Sequence, residues 1–142
     1  MVDMAFANHD ERTLTLLDHT RVSRLLSGKG TEAPPASEYL RDMLDGSDVV
    51  PSASVPGTVV TMCSRVLLAD VRDDTQFELT LCYPRDADAS RAKVSVLSPA
   101  GAALLGLQAG QVARWRTPTG EERAARIVSI LFQPEAAGDY LT

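Results

Sequence analysis

The side chains able to do chemistry in this chain are few and scattered. His9 and His19 stand ten residues apart with no third or fourth ligand near them, too sparse a set for a metal site. Gly28-Lys29-Gly30-Thr31 is superficially like a phosphate-binding loop. It lacks the first glycine at the required spacing and a Ser or Thr directly after the lysine, and it follows helical rather than strand-like residues, so it reads as a turn. Ser64, between Cys63 and Arg65, has no Gly-x-Ser-x-Gly elbow around it. The acidic pairs Asp73-Asp74 and Glu121-Glu122 fall in predicted turns, where such pairs are ordinarily solvated. No catalytic constellation emerges, and the expectation is a non-enzyme with no cofactor and no metal.

Two further signals have a plain reading beside a sharper one. Arg114-Trp115-Arg116 could form a recognition patch, because Trp and Arg dominate binding hot spots. A half-buried strand with its arginines facing water accounts for it better. Cys63 and Cys82 both sit in apolar, strand-like runs and are expected to be free buried thiols in a reducing cytoplasm. The formal net charge of −5 is uneven: residues 1–50 carry nine acids and five bases, residues 51–142 ten acids and nine bases. With no basic stripe to neutralise phosphates, autonomous nucleic-acid binding is not expected. No apolar run approaches membrane-spanning length and the first residues lack a secretory pattern, so the expected setting is cytoplasmic.

The elements that must position these side chains can be read from their punctuation. Ser98-Pro99-Ala100-Gly101-Ala102-Ala103-Leu104-Leu105-Gly106 predicts a short helix capped by Ser98, opened by Pro99 and closed by Gly106 in the left-handed conformation. It is apolar almost all round, so something must enclose it. Strand-like runs flank it. Val59 to Met62 leads into Arg65 to Ala69, Gln76 to Tyr83 alternates, Lys93 to Leu97 enters the helix, and Val112 to Thr117 and Ala124 to Phe132 follow it. This pattern predicts an α+β fold with an antiparallel sheet wrapped on one short helix. Ahead of it, residues 1–12 look frayed and Thr13 to Leu17 briefly extended. Asp18 resembles an N-cap before Val22, Leu25 and Leu26, and Pro34-Pro35 precedes a second stripe of Ala36, Leu40, Met43 and Leu44. Two short amphipathic helices with a tight connection predict an antiparallel hairpin. The Pro/Ser/Gly-rich run Pro51 to Gly57 marks the boundary, giving an N-terminal segment 1–50 and a second domain 51–142.

At this point the letters themselves carry a resemblance. Ser98-Pro99, the small residues after it, Ala103-Leu104-Leu105-Gly106, and then Gly110 and a strand resemble the carboxy-terminal domain of the bacterial Gre transcript-cleavage factors. In one subgroup, the regulators of nucleoside diphosphate kinase, the likeness extends to Val59 to Met62, Ser64-Arg65-Val66, Tyr83-Pro84 and the ending Gln133-Pro134-Glu135-Ala136-Ala137-Gly138-Asp139-Tyr140-Leu141. The resemblance covers roughly residue 55 onward. It implies an FKBP-like domain preceded by a short coiled-coil arm.

Gre factors dock that domain on the rim of the RNA polymerase secondary channel and extend a long coiled coil whose acidic tip helps hold magnesium for transcript cleavage. Carried over, the resemblance points to Leu97, Ser98 and Pro99 as polymerase-docking residues, positions that helix capping and core packing also explain. It places Lys29 and Glu32 at the hairpin tip. The arm between Asp18 and Ser47 has room for about three turns per helix, and the tip lacks a pair of carboxylates, whereas a hydrated magnesium ion is normally recruited by one or two acids plus existing ligands. The implied function is a regulator that binds polymerase, competes with Gre factors without stimulating cleavage, and affects nucleoside diphosphate kinase indirectly. The alternatives are an active Gre-like cleavage factor and, from another class, a peptidyl-prolyl isomerase or general protein-binding module. Fold alone is a weak argument for the isomerase, and the seven aromatic residues are scattered rather than clustered.

Overall fold

The computed structural model describes residues 12–27, 37–117 and 119–139. The first strand, β1 (Thr13–Thr15), runs directly into helix α1 (Leu16–Leu26). Helix α2 (Ser37–Gly46) follows, and then strand β2 (Asp48–Val50), which lies parallel to β1 with Leu14 opposite Val49. The two helices therefore rise from a common two-stranded base. Their side-chain bonds run antiparallel: Arg41 donates to the Leu26 carbonyl at 2.9 Å, and the His19 ring lies 3.1 Å from the Leu44 carbonyl.

The cap of α1 corrects the sequence reading. Thr15, not Asp18, holds the extended N-cap backbone, and its Oγ1 accepts the Asp18 amide at 3.0 Å. Starting the helix three residues earlier leaves the Asp18 carboxylate available for a partner elsewhere in the fold. Arg12, assigned to a frayed stretch, is only 4% exposed; residues 1–11 lie outside the described residues.

A five-stranded sheet forms the rest of the chain, built from β3 (Arg65–Asp70), β4 (Gln76–Cys82), β5 (Lys93–Ser95), β6 (Val112–Arg116) and β7 (Glu122–Phe132). Its order is β5-β4-β3-β7-β6, antiparallel throughout except for the short parallel pair β4 and β5. Register shifts in the β3–β7 pair bend and twist the strands, which lets the sheet curl. The curl closes on helix α3 (Pro99–Leu104), whose Gly101, Ala102, Ala103 and Leu104 are all buried. The α+β fold read from the sequence is thus the one observed. Glu122 opens β7 instead of sitting in the turn before it, and it pairs with Arg116 at 2.9 Å. Trp115 is half-buried between exposed Arg114 and Arg116, as a strand reading requires.

The core is continuous across these parts. Val66, Leu68, Leu81, Leu104, Leu105 and Ile127 pack in one cluster with Leu14, Val22, Leu40, Met43 and Leu44 from the helical part. The stripe of Val22, Leu25 and Leu26 and the residues Leu40, Met43 and Leu44 of the second stripe find their partner there, while Ala36 lies outside the described residues. Burial of such side chains contributes about 1.5–3 kcal/mol apiece, before chain entropy is subtracted, and this holds the short elements in place.

Candidate functional site

Leu97, Ser98 and Pro99 come together at the elbow between β5 and α3. All three are half-buried. Leu97 packs against the core cluster, and its amide donates to the Ser95 side chain at 3.0 Å. The Ser98 hydroxyl donates to the Ser95 carbonyl at 2.6 Å and accepts the Gly101 amide at 3.1 Å. Pro99 takes the first helical position, where no amide is needed. The elbow is tight because Gly101 has no side chain: a Cβ there would stand 2.0 Å from the Ser95 carbonyl oxygen. At the other end of α3, Gly106 sits at φ +85 as predicted. The Leu104 carbonyl accepts the Leu107 amide at 3.1 Å across the turn that Gly106 makes, while its neighbours find another donor. The Arg12 guanidinium donates to the Ala103 and Leu105 carbonyls at 3.2 and 2.9 Å, and it also bonds the Tyr39 hydroxyl. A buried cation at a helix C-terminus is favoured by the dipole there.

A second constellation surrounds a turn that the sequence suggested was extended. Residues Thr61 to Ser64 are not in the sheet; Val59 forms a single bridge with Gln108, and β3 begins only at Arg65. Cys63 lies at φ 69, a left-handed conformation that is uncommon outside glycine, and its thiol is half-buried, not buried in a strand; Cys82 is buried, and both are free. Ser64, fully buried, supplies its hydroxyl to the Thr61 amide and hydroxyl, both at 2.9 Å, and Thr61 in turn donates to Glu135 at 2.7 Å. The Met62 amide donates to Asp18 Oδ2 at 3.1 Å, tying α1 to the turn. Gln133, also buried, donates from one amide nitrogen to the carbonyls of Pro56 and Val59, both at 2.8 Å. The distinctive ending Gln133-Pro134-Glu135 thus serves to clamp the 56–64 loop.

Electrostatics follow from that burial. Desolvation pushes the Asp18 carboxyl up from 3.8 to about 6, against the Met62 amide and with Glu135 adding. Burial likewise raises the Cys63 thiol, with Asp18 and Asp86 reinforcing it, so this is not an activated thiolate. Burial raises the Tyr83 phenol, partly offset by Arg21, which donates to the Tyr83 hydroxyl at 3.5 Å. Between α1 and the loop after β4, Cys63 and Tyr83 line an open cleft of about 640 Å³ with Arg21, Arg24, Leu25, Pro84, Arg85 and Asp86 on its walls.

Lys29 and Glu32, the expected hairpin tip, lie outside the described residues. Among the described residues no group of three or more His, Cys, Asp or Glu is placed to hold a metal ion, and no helix is long and apolar enough to cross a membrane. Sequence reasoning missed Arg12, Gln133 and Glu135 as structural anchors. Their partners are far away in the chain; Gln133 and Glu135 stand in the ending that carries the family resemblance, and Gln133 follows the apolar end of β7, Ile130-Leu131-Phe132.

Residues 55–132 match the family described as transcription elongation factor, GreA/GreB, C-term. Over 125 residues the chain is 37% identical to the regulator of nucleoside diphosphate kinase of Escherichia coli strain K12, covering 88% of this chain and 92% of that one. It is 32% identical over 81 residues to transcription elongation factor GreA of Clostridium beijerinckii, covering 57% of this chain and 51% of GreA. Among solved structures, a prokaryotic transcription elongation factor GreA/GreB from Nitrosomonas europaea matches with a TM-score of 0.72 and 36% identity, over 87% of this chain and 99% of the other. With the domain match, the near full-length relative and the shared fold in agreement, the chain belongs to the GreA/GreB family of transcription elongation factors.

Proposed function

We propose that this protein is a non-catalytic regulator that binds RNA polymerase at the rim of the secondary channel and competes there with Gre factors. Residues 51–142 serve as the docking domain, with Leu97, Ser98 and Pro99 at the contact, and residues 1–50 supply a short arm. Any influence on nucleoside diphosphate kinase follows indirectly from altered transcription. Family membership and the close likeness to a regulator of nucleoside diphosphate kinase support this reading.

The single observation that carries the non-cleaving part is the size of the arm. Helices α1 and α2 have 11 and 10 residues. At 1.5 Å per residue each spans only about 15–17 Å. The sequence joining them, residues 27–36, offers one carboxylate, Glu32, with Lys29 nearby. A lone acid beside a cation recruits magnesium poorly, because the ion keeps its water unless one or two carboxylates and other ligands are already aligned.

Two assays test this. In a transcript-cleavage assay on backtracked elongation complexes, the protein is expected to leave the RNA intact and to slow cleavage by an added Gre factor. Release of short 3′ fragments by the protein itself would overturn the non-catalytic reading. Pro99→Glu places a charge at the proposed contact while keeping a residue that the first turn of α3 accepts. It is expected to weaken polymerase binding with unchanged circular dichroism, and unchanged affinity would remove Pro99 from the contact.

A further inference from the structure

We propose that the cleft bounded by Arg21, Arg24 and Arg85 binds an extended acidic segment of a partner protein, its carboxylates on the guanidinium groups and an apolar side chain against Leu25 and Tyr83. This surface is additional to the contact at Leu97, Ser98 and Pro99 and does not depend on it.

Three observations carry the inference. First, the charge is out of keeping with the rest of the molecule. The chain is net acidic, yet three arginines line one concave surface with a single acid, Asp86, on its wall; Arg21 is held by the Tyr83 hydroxyl and feels the buried Asp18, so Arg24 and Arg85 are the outward groups. Arg85 and Asp86 are 4.0 Å apart and both well exposed, so that pair leaves the positive character largely intact. Arg24 pairs with no carboxylate among the described residues.

Second, the turn that carries Cys63 has no amide left to offer an anion. The amides of Thr61, Met62, Cys63 and Ser64 bond to Ser64 Oγ, Asp18, the Leu81 carbonyl and the Thr61 carbonyl. Arg24 and Leu25 lie in the last turn of α1, an end that presents carbonyls rather than amides, so Arg24 is the group there that can hold an anion. Recognition of an anion here therefore falls to the guanidinium forks, whose bidentate geometry suits carboxylates. Third, the guanidinium groups come from two separate elements and flank an apolar wall of Leu25, Tyr83, Pro84 and the protonated Cys63 thiol. Spaced charges around an apolar wall fit an extended chain better than a single small ion.

The test is fluorescence anisotropy of the full-length protein with a labelled peptide of alternating Asp and Glu around one central Leu, at low salt. The comparators are the matching Asn/Gln peptide and inorganic pyrophosphate as competitor. Saturable binding of the acidic peptide alone is expected. It should be weakened at least tenfold by the exposed pair of changes Arg24→Glu and Arg85→Glu, on the scale of lost charge-assisted bonds. Chemical-shift changes on the wild type should centre on Cys63 and Tyr83. No binding at millimolar peptide, binding indifferent to the charge reversals, or pyrophosphate displacing the peptide at far lower concentration would each overturn the proposal.

Discussion

Replacing Asp18 by Asn isolates a buried charge at almost constant shape. Asp18 is 1% exposed, and burial holds its carboxyl at about 6 against 3.8 in the unfolded chain. An acid whose folded value is raised binds more protons when folded than when unfolded between those two values, so its contribution to stability falls as pH rises through that window. Below about pH 3.8 the contribution is intact; above about 6 it is fully lost. The interval between 3.8 and about 6 corresponds to on the order of 3 kcal/mol. Asn keeps an oxygen to accept the Met62 amide and carries no charge, so it removes the pH-dependent loss without orphaning that amide.

The assay is urea unfolding of both proteins at steps from pH 4 to pH 7, with the difference between them plotted against pH. Taking the difference cancels the other titrating groups, including carboxylates such as Asp88 that are held below their usual range by hydrogen bonds and act in the opposite direction. Asp18→Asn is expected to gain on the wild type by on the order of 3 kcal/mol between pH 4 and pH 7. A flat difference across that range would refute the reasoning, because it would mean the carboxylate is solvated in the folded protein.

Other substitutions probe the anchors around the site. Gly101→Ala drives a methyl group into the Ser95 carbonyl, and backbone cannot step aside. Overpacking of about 1–3 kcal/mol or more should outweigh the roughly 1 kcal/mol gained in helix propensity, read as a lower melting temperature. Arg12→Ala removes the donor to two carbonyls at the end of α3 and should cost on the order of 3 kcal/mol in urea unfolding. Gln133→Ala leaves the Pro56 and Val59 carbonyls without their shared donor; a loss of about 1–3 kcal/mol is expected, with faster amide exchange confined to residues 56–64.

What the sequence revealed depended on how local the cause was. Helix α3 was legible in full, since Ser98, Pro99 and Gly106 act within a turn of where they stand. The alternating run of β4 and the stripes of Val22, Leu40 and Met43 were equally plain, being periodic. The cap of α1 was misread because Thr15 and Asp18 are both good capping residues. The choice is settled by the Met62 amide, 44 positions away, which claims the Asp18 side chain. Arg12 was read as frayed because nothing nearby needs a cation, whereas the carbonyls it serves lie 91 and 93 positions on. Cys63 sits in letters that look like a strand, and only the Thr61–Ser64 bonds turn the chain there. The arginine cleft was invisible for a similar reason: Arg21 and Arg24 meet Arg85 only through the fold.

Titration of the purified protein against core RNA polymerase, alone and with rising amounts of a Gre factor, is the most direct test of the central claim. The account predicts saturable binding that the Gre factor displaces competitively. Absence of binding at micromolar concentration, or binding that a saturating Gre factor leaves untouched, would contradict it and turn this GreA/GreB-type domain toward a different partner.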